Sequence, residues 1–199
     1  MRNNYFWLIS AGILSGLINA LLLNQALFIS AGIGYGLVTG MYFIYAASRN
    51  RKIVRLVFWI VASAISYFVA IQATLVSAPK AGWSVPAPDA INFALGGLIG
   101  ALVLSLAFHF IFHKMTIVRH VMVTLGGALT AWLVIVVMST YDSTQTLLTP
   151  NTEFGELFAG FMPILYIVWQ TVITVALGSS IIARTKSLSG TNNFTNNQL

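Results

Sequence analysis

The chain has 199 residues, of which 58% are apolar and 7% charged, with a mean hydropathy of +0.86 and a formal net charge of +6. A soluble domain carries about 25% charged residues, so this composition excludes an ordinary water-soluble fold. Cysteine is absent, which removes disulfides, thiolate zinc sites and cysteine-ligated iron–sulfur clusters.

Six apolar runs are each long enough for a helix to cross a hydrocarbon core of about 30 Å, which takes roughly 20 residues at about 1.5 Å each. They fall at about 5–23, 26–47, 56–76, 90–112, 121–139 and 157–182, and none holds an Asp, Glu, Lys or Arg. The expected fold is all-α: a polytopic membrane protein whose single domain, residues 1–186, is a six-transmembrane-helix bundle. The tail, 187–199, is rich in Asn, Thr and Ser and reads as disordered.

The first run follows Arg2 and is too long for the 7–15 residues of a secretory h-region, so it reads as a span. Only Asn24 and Gln25 separate it from the second run, which implies a tight antiparallel hairpin. Gly12 and Gly16 in the first run, and Gly32, Gly36 and Gly40 in the second, recur at four residues. Each set therefore lines one helix face where another backbone can approach closely. Ile33-Gly34-Tyr35-Gly36 looks like the core of a potassium-channel filter, but too few residues follow it for an inner helix, and that class is excluded.

Between the second and third runs, Arg49, Arg51, Lys52 and Arg55 form the densest charge cluster of the chain. Lys and Arg near span ends are retained in the cytoplasm, so this loop sets the orientation of every other segment. On that count Arg2, Lys114, Arg119, Arg184 and Lys186 are also cytoplasmic. Lys80 and all four acids, Asp89, Asp142, Glu153 and Glu156, lie on the other side. Both termini are then cytoplasmic, and the expected location is multi-pass in a membrane, a bacterial inner (plasma) membrane. The basic balance serves orientation and lipid-headgroup attraction, and no aromatic-interleaved basic surface points to nucleic acid.

The loop before the fourth run, Ser77 to Asp89, holds Pro79, Pro86, Pro88 and Trp83 and reads as a turn anchored at the interface. The fourth run offers another seam in Asn92, Gly96 and Gly100. Whether these seams join helices of one chain, a second copy or another membrane protein is open at this point. His109 and His113, four apart, are the weak candidates for a metal, but with His120 they supply too few ligands for a closed or catalytic site. The expectation is no metal and no cofactor. Leu125-Gly126-Gly127 in the fifth run echoes Leu95-Gly96-Gly97, a match that chance among apolar residues explains.

The sixth run carries a small and polar stripe, Gly160, Pro163, Ile167, Gln170, Thr174 and Gly178, at spacings of three or four. Pro163 lacks the N–H its helix needs and is the expected kink. No ionisable group lies within the runs apart from the histidines, so a proton pump, a carboxylate-coupled antiporter and a voltage sensor lack their usual part. No nucleophile elbow or phosphate loop occurs, which disfavours an enzyme. Asn19, Asn92, Gln170 and Thr174 remain as candidate contacts for a neutral or zwitterionic solute, in a small solute-binding or transport component without its own energy source. The alternative is a non-catalytic structural or assembly subunit in which these groups bond helix to helix. The lipid bilayer is the partner common to both.

Overall fold

In a computed structural model, the described residues are 3–22, 28–47, 52–77, 86–141 and 164–183. They form six helices and no strand: α1 (Asn3–Leu22), α2 (Phe28–Ala47), α3 (Lys52–Ser77), α4 (Pro86–Ile111), α5 (Ile117–Tyr141) and α6 (Ile164–Ala183). Four of these, α3 to α6, are long and apolar enough to cross a membrane. In α1 the apolar stretch among the described residues is Tyr5–Ile18.

Helices α3, α4 and α5 each begin four residues before the apolar run that marks them. Hydropathy locates the hydrocarbon-compatible stretch, whereas a helix continues for as long as its backbone hydrogen bonds do. Lys52, Arg55 and Arg119 are consequently helical, within the first turns of α3 and α5, where long side chains reach the headgroup level. Pro86, Pro88 and Asp89, expected in a loop, form the first turn of α4, a position that needs no backbone N–H donor. Trp83, Pro163 and the 187–199 tail lie outside the described residues.

Neighbouring helices run antiparallel, and glycine sets their separation. A Cβ on Gly12 would come within 2.5 Å of the Thr171 Cα, and one on Gly16 within 2.5 Å of the Ile167 Cα, so α1 lies backbone to backbone on α6. Gly32 and Gly36 press in the same way on Ala64 and Ile60 of α3, while Gly40 receives Leu56 and Trp59. On α4, Gly96 meets Thr74 and Gly100 meets Ala70, both on α3, and Gly97 faces the Gly127 carbonyl of α5. The seven seam glycines thus all face helices of their own chain. Gly126 has nothing within 4 Å.

The interior is small, aromatic and polar, and the exterior is aliphatic. Ser15, Thr39, Ser63, Ser66, Asn92, Ser105, Gln170, Thr174 and Ser180 are buried, whereas Ile33, Leu37, Met41 and Tyr45 of α2 and Val57, Val61, Ile65 and Phe68 of α3 are exposed. Water would penalise that arrangement and a bilayer does not. Helix α6 occupies the centre: 56% of its apolar window is buried, against 22 to 39% for α3, α4 and α5. Its side chains meet α1 at Gly12 and Gly16, α2 at Tyr35, α3 at Tyr67 and α5 at Gly127.

Candidate functional site

A buried polar row follows the inner face of α6. The Ser15 hydroxyl lies 2.8 Å from the Gly12 carbonyl and 2.7 Å from Gln170 Oε1, linking α1 to α6. Ser15 owns a single proton, which its bond to Gly12 uses, so the Gln170 amide is oriented with its NH₂ group donating to Ser15 Oγ; amide orientation is assigned on such grounds. Gln170 thus ties α6 to α1, while the buried Tyr67 hydroxyl has no partner among the described residues. One turn on, Thr174 Oγ1 donates to the Tyr35 hydroxyl at 3.2 Å, and Trp59 Nε1 donates to Thr39 Oγ1 at 2.9 Å, tying α2 to α6 and to α3.

Beside this row, four helices leave a partly open cavity of about 70 Å³. Its walls are Tyr67, Ala70, Ile71 and Thr74 of α3, Phe93, Gly96 and Gly97 of α4, Ala131 of α5, and Leu165, Tyr166 and Trp169 of α6. The space exists because α4 presents glycine where it is drawn tightly onto α3 and α5, and Ala70 and Ala131 are too short to fill what remains. Tyr67 and Tyr166 stack at 5.8 Å between ring centres, and Trp169 stands perpendicular to Tyr67 at 5.7 Å. The indole N–H of Trp169 donates to the Gly127 carbonyl at 3.2 Å.

A second cluster joins α4 to α5 at the opposite end of the bundle. Helix α4 closes with a 3.1 Å bond from the His113 N–H to the Phe108 carbonyl, the wide terminal turn of a Schellman-type ending, so His113 leaves the helical face that carries His109. The partner of His109 is His120: Nδ1 of the first lies 3.1 Å from Nε2 of the second. The Met115 N–H also donates to His109 Nδ1, at 3.0 Å, which fixes that nitrogen as an acceptor. His120 therefore donates through Nε2–H, and its Nδ1 faces Ser105 Oγ at 3.1 Å. Among the described residues no group of three or more His, Cys, Asp or Glu is arranged to hold a metal ion.

Of the polar residues singled out in the sequence, Gln170 and Thr174 share the buried row of α6. Asn92 is apart from them, buried on α4 one turn before Gly96, and its Nδ2 has no partner among the described residues. The backbone of Asn19 is in α1, and its side chain lies outside the described residues. Asn92, Gln170 and Thr174 do not line the cavity. Tyr67, Tyr166 and Trp169 were missed by sequence reasoning that searched for polar groups. The available signal was the spacing of Tyr166, Trp169 and Gln170, which puts two aromatic residues on the face of α6 that also carries its amide.

The fold and site together define a class: an all-helical bundle with the composition and surface of an integral membrane protein. Beyond the class, comparison with protein-family models, curated proteins and solved structures finds no match for this chain.

Proposed function

We propose that this chain is a small solute-binding or transport component of a membrane, for a neutral or zwitterionic solute, and that its site is the cavity between α3, α4, α5 and α6. The observation that carries the reading is an aromatic-walled void kept open by glycine and alanine within an otherwise close-packed bundle. Void without function is costly in a packed interior. No Asp, Glu, Lys or Arg lies deeper than the first turn of a described helix, so the described helices carry no carboxylate, ammonium or guanidinium to couple solute movement to ions, and in this reading the chain works with a partner or down a gradient. In this reading all six helices cross the membrane, and the end that carries Lys52, Arg55, Lys114 and Arg119 is cytoplasmic. Asn92 and Gln170 each adjoin a cavity wall in the chain, Phe93 and Trp169, and are the two of the original four nearest to it in sequence.

A specific observation favours the rival reading, a non-catalytic assembly or scaffold subunit: Gln170 and Thr174 are bonded pairwise across helices. Mass spectrometry of small molecules and proteins that co-purify in a mild sugar-headed detergent separates the two. A retained small molecule that is lost in Ala131→Leu, which fills the cavity, supports the solute reading. A stoichiometric membrane partner with no small molecule, unchanged in Ala131→Leu, replaces it with the scaffold reading. Reporter fusions at Ser84 and Thr146 check the orientation, and a cytoplasmic signal at both overturns it.

A further inference from the structure

We propose that the chemical group the cavity recognises is a quaternary ammonium, carried by a zwitterionic or cationic molecule. The inference rests on the cavity being a solute site and names what that site selects.

Size is the first constraint. A water-sized group needs about 10–15 Å³ of such volume, so 70 Å³ holds roughly five to seven of them. A nitrogen with its four carbon substituents is a five-atom cluster of that bulk, and the rest of the molecule can extend through the open side. Chemistry is the second. The lining is almost wholly apolar, and the indole N–H of Trp169 is committed to the Gly127 carbonyl. A primary ammonium or a guanidinium would enter with unpaired N–H donors. A methylated ammonium has none to satisfy, and it is attracted by the faces of Trp and Tyr rings. Tyr67 and Trp169, at 88° to each other, make two walls of a corner, with Tyr166 and Phe93 beside them from α6 and α4.

Charge is the third constraint. The cavity is formed by the C-terminal part of α3 and the N-terminal parts of α4 and α6. Asp89 falls in the first turn of α4, one turn before Phe93. Among the described residues the bases, Lys52, Arg55, Lys114 and Arg119, are all at the opposite end, in the first turns of α3 and α5 and in the α4–α5 connection. The charges of the described residues therefore favour a cation at the cavity end.

The test uses the full chain in nanodiscs and three ligands of matched shape: choline, its uncharged isostere 3,3-dimethylbutan-1-ol, and ethanolamine as the primary ammonium. The expected result is that choline binds about tenfold or more tighter than either of the others, as a desolvated cation–π contact requires. Tyr166→Phe should retain binding, and Tyr166→Leu and Trp169→Leu should weaken it about tenfold. Ala131→Leu, which touches no aromatic wall, should abolish it even if Trp169→Leu fails to fold. Discs of phosphatidylglycerol and of phosphatidylcholine distinguish the sources of the group. Equal choline affinity in both identifies a free solute, and choline binding only in phosphatidylglycerol identifies the lipid headgroup as the occupant.

Equal affinity for the isostere or for ethanolamine overturns the proposal. If the isostere binds and Ala131→Leu removes it, the solute site stands and only its ammonium selectivity falls. If nothing binds and nothing co-purifies with the parent protein, both readings fall.

Discussion

The bundle contains two aromatic groupings, joined through Tyr35, and they pack differently. Toward the histidine end, Phe43 of α2, Trp59 of α3, Phe108 of α4 and Phe112 just after α4 contact one another at 5.1 to 6.1 Å between ring centres, mostly edge to face, and all four are buried. At the other end, Tyr67, Tyr166 and Trp169 make similar contacts at 5.7 and 5.8 Å yet border a cavity. The ring chemistry is alike. What differs is the α4 segment opposite: it supplies two phenylalanines in the first case and Gly96 and Gly97 in the second. Small residues, rather than the aromatic residues themselves, decide which cluster is a core and which is a site.

The sharpest way to break this comparison is to truncate one ring in each cluster. Phe108→Ala should cost about 3–5 kcal/mol, because the closed cluster cannot relax into the space. Tyr166→Ala should cost about half as much, since it enlarges a void that already exists. Steric-trap unfolding in bicelles measures both, and equal losses would show that the two clusters are packed alike.

Glycine substitutions come next in size. A Cβ on Gly97 would lie 2.6 Å from the Gly127 carbonyl and 2.7 Å from the Ala131 Cβ, so Gly97→Leu must part α4 from α5 at about 1–3 kcal/mol. The same change at Gly126, which faces open space, should leave stability within about 0.5 kcal/mol. The pair, measured by thermal unfolding in one detergent, tests whether glycine acts here by proximity or by backbone freedom. Equal destabilisation would favour backbone freedom.

Smaller still is the Gln170 clasp. Each interhelical hydrogen bond in a bilayer averages about 0.6 kcal/mol, so Gln170→Leu, which removes the bond to Ser15, should cost about that much and leave a folded protein, as should Asn92→Leu. A loss above about 3 kcal/mol for Gln170→Leu would mean that the row holds the fold by itself. The smallest effect concerns tautomers. His109 should be the Nε2–H form, because its Nδ1 accepts from Met115, and the imidazole ¹⁵N shifts report this directly. An Nδ1–H signal at His109 would contradict the hydrogen-bond order that joins α4 to α5.

The sequence by itself determined the class and the charge distribution. A chain with 7% charged residues, all near the ends of six apolar runs, has few options besides membrane helices, since lipid leaves backbone groups no partner outside the segment. The glycine seams were also legible, because a four-residue repeat without side chains marks one helix face whatever it meets. Only the tertiary structure decided what each face meets. It set Gly12 and Gly16 against α6, and it paired His109 with His120 across a turn in place of His113 four residues on. It gave Gln170 to Ser15, and it left the void where Gly96, Gly97, Ala70 and Ala131 converge from three helices. Periodicity within a helix reports direction relative to its own axis. A cavity is a deficit of volume summed over several helices, and no single segment carries that sum.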